Sequence, residues 1–266
     1  MVSWFFCSEL PLLVLKFQTH KRPNEGFLRG EFKKGEIFMR ILATSDLHGC
    51  AMAAKMLQAI DQTQPDLVLI CGDVSGFSST KLSVLSRNQS KEVQSLDAML
   101  GKLDVSARYI LGNDDWCESD GDHYLCAPEL FNGLELMPFE WVHTTPFGTN
   151  REANENKIEY ELRKMLDPED AEAKARGQNM VVVAHMPPYA AGDILGSGAH
   201  CGSRRIADWI SKVQPRLWLC GHIHEDFSIN KIGETFVANC ACRHEQGRFQ
   251  AWLIDADTLD FEKVRF

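Results

Sequence analysis

Three short apolar runs in the first half of the chain constrain its fold. The runs cover residues 41–43, 67–71 and 107–111. The first is followed by a segment of helical composition over residues 50–63. The second is followed by a polar loop over residues 75–90 and then by a helix over residues 91–102. Repeated strand–helix units imply parallel strands, with ligands bound beyond the strands' carboxyl ends. Polar side chains follow each run: Asp46 and His48 after residues 41–43, Asp73 after residues 67–71, and Asn113 after residues 107–111.

The first of these ends suggests the chemistry. In an extended chain, residues two apart point to the same side, so Asp46 and His48 can face one ligand. A carboxylate beside an imidazole suits a divalent cation such as manganese, iron or zinc. One Asp-x-His triplet is weak evidence, because such triplets arise often by chance.

The second half adds histidines in the same kind of position. His185 ends an apolar run over residues 181–184, where Met186-Pro187-Pro188 cannot continue a strand, and His222 and His224 follow a run over residues 217–220. We expect a second sheet built from this half. The other strands predicted in the second half cover residues 134–137, 140–143, 227–232, 235–239 and 249–255. Two helices are also predicted there: an exposed amphipathic helix over residues 154–175, and a helix over residues 203–213 with Ser203 as its N-cap.

The ligand-type residues form an ordered set of blocks that resembles the calcineurin-like metallophosphoesterase superfamily. The blocks are Asp46-Leu47-His48, Gly72-Asp73, Gly112-Asn113-Asp114-Asp115, a lone His185, and Gly221-His222-Ile223-His224. The resemblance spans most of residues 39–266 and implies an α/β fold, a four-layer α/β/β/α sandwich of two mixed sheets flanked by helices. It also implies a two-metal site at the sheet ends.

The resemblance assigns the ligands residue by residue. Asp46, His48 and His224 would bind the first metal, Asn113, His185 and His222 the second, and Asp73 would bridge both. A hydroxide held between two such ions would attack the phosphorus of a phosphodiester or a small phosphomonoester. Manganese is the expected ion, although the ligands would also accept iron, zinc or nickel.

Asp114 departs from the family pattern. Many members carry a histidine there that touches the phosphate and can protonate the leaving group, whereas an ionised carboxylate would repel a phosphate. Asp114 and Asp73 are the candidate catalytic positions, but Asp114 is a poor general acid and is alternatively a displaced ligand, a substrate-selecting group or a loss of function. The repulsion favours the less charged diester as substrate. His123 and His200 are loop histidines that could substitute, although an exposed histidine with no role is the better interpretation of each.

Three further residues are candidates outside the ligand set. Asp115 is expected to orient a ligand, and Glu225 either does the same or caps a turn. Arg204 follows a glycine-rich loop at a predicted helix start, where it could hold a phosphate. A solvated surface charge is an equally good interpretation of Arg204.

Charge and cysteine content limit the classes of partner and the compartment that we expect for this chain. The net charge of −9 argues against nucleic acid and anionic membranes as partners, although a small phosphate ester remains compatible with a metal site. Nine cysteines without framework spacing favour buried thiols in a reducing compartment, so we expect a cytoplasmic protein. Residues 1–38 are interpreted as an N-terminal extension, either disordered or an artefact of an upstream start codon, with an arm that docks on the body or on a partner as the alternative.

Two functions remain open from sequence. The first is a binuclear metal-dependent phosphoesterase. The second is a catalytically weak scaffold that keeps this fold to bind a protein partner, which Asp114 and the N-terminal extension favour. Seven suitable ligand positions argue against the scaffold, because protein binding has no chemical need for them.

Overall fold

The structure, a computed structural model, describes residues 39–266, so the N-terminal extension predicted for residues 1–38 lies outside the described residues. Helices follow most of the central strands in chain order. The helices are α1 (Cys50–Thr63), α2 (Leu82–Leu100), α3 (Glu155–Met165), α4 (Ala173–Gly177) and α5 (Arg204–Val213), with a short 3-10 helix at His244–Gln246. The strands are β1 (Arg40–Thr44), β2 (Leu67–Cys71), β3 (Ser106–Ile110), β4 (Glu129–Phe131), β5 (Leu134–Phe139), β6 (Val142–His143), β7 (Glu152–Ala153), β8 (Met180–Ala184), β9 (Leu217–Cys220), β10 (Ile229–Ile232), β11 (Thr235–Asn239), β12 (Gln250–Asp255) and β13 (Phe261–Arg265).

Two mixed sheets contain most of these strands. The first has the order β13-β12-β1-β2-β3, in which β1, β2 and β3 are parallel and the other two strands are antiparallel to their neighbours. The second has the order β10-β11-β9-β8-β5-β4, in which the four central strands are parallel and the two edge strands antiparallel. Strands β6 and β7 form a separate parallel pair.

The sheets pack face to face and helices cover their outer faces. Along β1 and β2 the side chains alternate, so Leu42 and Val68 pack under α1 and α2, while Ile41 and Leu69 share one buried cluster with Val183 and its neighbours in the second sheet. Helices α3 and α5 cover the other face of the second sheet. The predicted four-layer α/β/β/α sandwich is therefore confirmed, and burial on both faces explains the continuous apolar runs. Within residues 39–266, no helix is long and apolar enough to cross a membrane.

Helix α2 begins earlier than predicted. It starts at Leu82 rather than at residue 91, so half of the predicted loop is helical. The missed turns are rich in serine and polar residues, which hid the buried face that begins at Leu85 and Gln89. Gln89 is polar yet buried, because its amide group donates to the carbonyl of Asp114 at 2.8 Å and accepts from the N–H of Trp116 at 2.7 Å.

The charged segment over residues 154–175 is two helices rather than one. Helix α3 ends at Met165, Leu166 is extended, and α4 begins only at Ala173. Pro168 explains the break, because it lacks a backbone N–H and restricts the residue before it to extended conformations. Ile158 and Leu162 bury one face of α3 against α5.

The chain returns to the first sheet at its end. The prediction placed all C-terminal strands in a second sheet, but β12 pairs antiparallel with β1, Leu42 opposite Leu253, and β13 extends the same sheet. A strand's pairing partner is a tertiary property, so periodicity along the chain could not reveal it.

Replacing Trp218 by alanine should lower the free energy of unfolding by about 3–5 kcal/mol, because a large cavity would remain between the second sheet and the helices that cover it. The Trp218 side chain is fully buried, contacts Phe139 and Trp209, and donates to the carbonyl of Met186 at 3.1 Å. Urea denaturation measures the loss. As the control, Phe147→Ala at a side chain 82% exposed should change stability by less than about 0.5 kcal/mol, and equal losses would contradict the assigned core.

Candidate metal centre

Seven side chains from five strand ends meet at one edge of the two sheets. Short backbone hydrogen bonds hold these ends together: the N–H of Asp46 donates to Gly72, the N–H of His48 to Asp73, and the N–H of Gly221 to His185, each at 3.0 Å. The structure thus brings together all residues predicted from sequence as metal ligands. They are Asp46, His48, Asp73, Asn113, His185, His222 and His224.

Four of these residues have left-handed backbone conformations. The φ angles are 58° at Asp46, 42° at His48, 49° at Asp73 and 68° at His222. Residues other than glycine rarely adopt such angles, and they persist only where the surrounding structure enforces them. The left-handed turns allow the chain to reverse directly after each strand and keep these side chains at the sheet edge.

Asp46 is the centre of a first group with His48 and His224. One carboxylate oxygen lies 3.1 Å from Nε2 of His224 and 4.0 Å from Nε2 of His48. The other accepts the backbone N–H of His222 at 3.0 Å. Burial alone would raise the pKa of Asp46, but the neighbouring histidines outweigh it and lower the pKa. The carboxylate is therefore ionised and ready to bind a cation.

His185 is the centre of a second group with Asn113 and His222. Nε2 of His185 lies 3.0 Å from the amide oxygen of Asn113, and its ring packs edge-on against His222 at 5.2 Å between centroids. Nδ1 of His185 lies 2.8 Å from the carbonyl oxygen of Cys71. Nδ1–H donates a hydrogen bond to that carbonyl, which leaves Nε2 as the nitrogen that faces the centre.

Asp73 lies between the two groups. Its Oδ2 is 3.2 Å from Nε2 of His185 and 3.7 Å from Nε2 of His48, and its Oδ1 accepts the backbone N–H of Asp114 at 2.8 Å. One carboxylate thus contacts a member of each group, which is the placement that a bridging ligand requires.

The donor set fits divalent cations. Nε2 of His48 is buried and has no hydrogen-bond partner within residues 39–266. Nε2 of His185 faces two oxygens that can only accept, so a proton or a cation must lie between them. In the absence of a cation that role falls to a proton. Burial alone would lower the pKa of His185, yet the charges of Asp73 and Asp46 raise it to about 10.

Asp115 ties the loops after β2 and β3 together. Its buried carboxylate accepts the N–H groups of Val74, Ser75 and Gly112 at 3.1, 3.0 and 2.9 Å, and also the hydroxyl of Ser75. Burial and the charge of Asp73 raise the pKa of Asp115, while these donors oppose the shift. Its partners flank Asp73 and Asn113, and the orienting role of Asp115 stays a prediction.

Asp114 borders the centre. Its side chain accepts from the amide of Asn113 at 3.3 Å. Burial and the neighbouring charge of Asp73 raise its pKa to about 6, although His48 and His185 pull in the opposite direction. A second carboxylate therefore lies beside Asn113 and Asp73 at the border of the candidate ligands.

The side chains of the other two predicted residues have neighbours outside the seven ligands. Glu225 is exposed beside Gly196. Arg204 stacks on Tyr189 at 3.7 Å, and its backbone N–H, with that of Arg205 and the hydroxyl of Ser203, donates to the carboxylate of Glu155. Glu155 thus occupies the helix end that was expected to help hold a phosphate, and phosphate binding by Arg204 stays a prediction.

The two loop histidines have carboxylate neighbours of their own. Nδ1 of His123 lies 3.3 Å from Asp97, and Nδ1 of His200 lies 2.7 Å from the buried carboxylate of Asp193. Their suggested substitution for a histidine at position 114 stays a prediction.

Two residues that carried no sequence signal lie directly at the centre. The ring of His244 packs 3.9 Å from that of His48, between centroids, and Glu245 lies 3.3 Å from Nδ1 of His224. Burial and the neighbouring histidines lower the pKa of His244 to about 4, so its ring is neutral near pH 7. Both residues come from the loop after β11, which no family block covers, and only the folded chain brings them to the site.

The family model for calcineurin-like phosphoesterases matches residues 39–226, a range that contains all seven candidate ligands. The chain belongs to the calcineurin-like phosphoesterase family. As a family member it is a metal-dependent hydrolase of phosphate esters, and its divalent cations have a suitable set of donors at the sheet edge.

Relatives of this calcineurin-like phosphoesterase occur in archaea and animals. The chain is 26% identical over 209 residues to the uncharacterized protein MJ1162 of Methanocaldococcus jannaschii, covering 76% of this chain and 88% of that protein. It is 23% identical over 212 residues to the UPF0046 protein T07D4.2 of Caenorhabditis elegans, covering 68% of this chain and 51% of that protein.

Solved structures share the fold. TT1561 of Thermus thermophilus superimposes with a TM-score of 0.58 at 15% identity, covering 85% of this chain and 98% of that one. A further crystal structure reaches a TM-score of 0.66 at 15% identity, covering 86% of this chain and 99% of that one. At this identity the likeness supports the sandwich architecture alone.

The Gly221→Ala variant should lose metal affinity by at least about tenfold, as for other changes that displace ligand-orienting groups. A Cβ at Gly221 would overlap the carboxylate of Asp46 and the hydroxyl of Ser45, both of which are buried. Isothermal titration with Mn²⁺ measures the change. The matched control is Gly196→Ala, where a Cβ would meet Glu225 at an ordinary 3.8 Å, and equal affinities of the two variants would contradict the assigned close packing.

Metal binding at pH 7 should release about two protons per chain, because bound imidazoles must be neutral. Burial alone would lower the pKa of His224, but Asp46 raises it to about 9, and the pKa of His185 is about 10. Both rings are thus protonated below these values, so metal affinity should rise as the pH approaches 9. Titration calorimetry in buffers of different ionisation enthalpy counts the protons, and identical heats in all buffers would contradict the prediction.

Proposed function

We propose that the chain is a binuclear phosphoesterase that uses two divalent cations to hydrolyse a phosphodiester or a small phosphomonoester. The observation that carries the proposal is the position of Asp73 between two groups of imidazoles, within 3.7 Å of one and 3.2 Å of the other. A carboxylate so placed can bridge two ions. When bound, such ions activate a shared water and neutralise charge on the phosphoryl oxygens.

The chain's own residues prepare the centre. The carbonyl of Cys71 fixes the tautomer and orientation of His185, and the backbone N–H of His222 holds the Asp46 carboxylate in place. Asp115 fixes the loops that present Asp73 and Asn113. These contacts set the ligand positions before a substrate arrives, as electrostatic preorganisation requires.

Asp114 supports a preference for diesters. A phosphomonoester carries more negative charge than a diester, so an ionised carboxylate at the edge of the centre repels it more strongly. The partly buried side chain of Asp114, next to Asn113, occupies such a position. The proposed substrate is therefore a small phosphodiester, with a small monoester as the weaker alternative.

Manganese is the proposed ion, with iron, zinc and nickel as acceptable replacements. The seven ligands combine two carboxylates, one amide and four imidazoles, a mixture that first-row divalent cations share. Hard oxygen donors favour manganese, while the imidazoles strengthen binding of the later metals.

Full-length protein supplied with Mn²⁺ should hydrolyse bis(4-nitrophenyl) phosphate faster than 4-nitrophenyl phosphate, and a chelator should abolish both activities. Asp73→Asn should lower kcat by at least about a hundredfold, a loss of about 2.7 kcal/mol of transition-state stabilisation, because an amide is a poorer bridge. The control is Asp170→Asn, since Asp170 is an exposed carboxylate on the α3–α4 connection and should leave turnover unchanged.

Equal turnover of Asp73→Asn and wild type would contradict the bridge. No turnover of either ester by protein that has bound two cations would favour the protein-binding scaffold instead. Faster hydrolysis of the monoester would contradict the role given to Asp114 while leaving the metal centre intact.

A further inference from the structure

His244 lies against two candidate ligands of the first group. Its ring centroid is 3.9 Å from that of His48 and 5.0 Å from that of His224. Each of the three imidazoles offers one nitrogen, and these nitrogens all lie within 4.8 Å of one another. A cation about 2.1 Å from each nitrogen could be shared after a small rotation of the rings.

The unpartnered nitrogens point to the same ligand. Nε2 of His48 and Nδ1 of His244 are both buried without a hydrogen bond in the part of the chain that the structure describes. Buried polar atoms are normally satisfied, so each exception needs an explanation. Two such nitrogens on adjacent rings are explained together if the cluster binds a positively charged ion.

The fold holds His244 in place from two sides. The N–H of Cys242 donates to the carbonyl of Ser45 at 3.0 Å, which ties this loop to the end of β1. The guanidinium of Arg243 donates to the carbonyl of His224 at 3.1 Å and to that of Glu225 at 3.0 Å. His244 is thus attached to the two segments that carry the first group.

Glu245 lies beside Nδ1 of both His224 and His244. Its Oε2 lies 3.3 Å from Nδ1 of His224 and 3.4 Å from Nδ1 of His244. A carboxylate beside Nδ1 favours the tautomer that leaves Nε2 free for a metal. For His224, Nε2 is the nitrogen that already faces Asp46, whereas Nδ1 of His244 makes no hydrogen bond to Glu245 and stays open to the cation.

We infer that His244 is an additional ligand of the cation held by Asp46, His48 and His224. The inference rests on the proposed binuclear function and makes the two metal positions unequal. Three imidazoles would surround the first cation, whereas the second has two imidazoles and the amide oxygen of Asn113. Imidazole-rich sites favour zinc, iron or nickel over manganese, so His244 would bias the first position toward these metals.

The test uses full-length protein with Zn²⁺ or Mn²⁺ alone as the probe. His244→Ala should lower the affinity of one of two zinc sites by about 10–100-fold and should lower manganese affinity less. The matched control is His143→Ala, since His143 lies on β6 with Nδ1 3.1 Å from the carbonyl of Thr144, and it should bind both metals as wild type does.

A second measurement uses only the wild-type protein, so it does not depend on whether a variant folds. In wild-type protein with ¹⁵N-labelled histidine, the ring nitrogen signals of His244 should shift together with those of His48 and His224 as zinc is added. Two bound zinc ions with unchanged His244 signals, or with wild-type affinity in His244→Ala, would overturn the inference and leave the proposed function intact. Failure of wild type to bind either metal would overturn both.

Discussion

Two buried carboxylates, Asp46 and Asp73, determine what the rest of the site must provide. They are 0% and 3% exposed, and buried charges without partners are strongly destabilising. The chain surrounds them with imidazoles and backbone N–H groups, so that each charge has partners even before a cation binds. A site built this way attracts divalent cations, because they replace protons that the neighbouring histidines otherwise hold.

The sandwich serves this arrangement by placing strand ends at one edge. Parallel order in β1, β2 and β3 and in β8 and β9 brings five carboxyl ends together. Left-handed turns directly after the strands then keep the ligands close to the rigid sheets. Precision in the site therefore comes from the sheets. Asp114 is a departure within one family block, whereas His244 and Glu245 lie beyond the range that the family model matches.

Apolar runs followed by ligand-type residues predicted parallel strands with a metal site at their ends, whereas the four-layer sandwich and the assignment of the seven ligands came from the resemblance to the family. The sequence-based prediction missed the first turns of α2, whose buried Gln89 looks like a loop residue until its bonds to the loop after β3 are known. It also missed the return of β12 and β13 to the first sheet. His244 and Glu245 escaped for the same reason, since their proximity to His48 and His224 exists only in the folded chain.

The central claim is that these side chains bind two cations bridged by Asp73. Anomalous X-ray diffraction from crystals of the full-length protein grown with Mn²⁺ tests it most directly. The account predicts two anomalous peaks about 3.5–4 Å apart, one on each side of the Asp73 carboxylate. A single peak, two peaks that Asp73 does not touch, or none at saturating Mn²⁺ would contradict it.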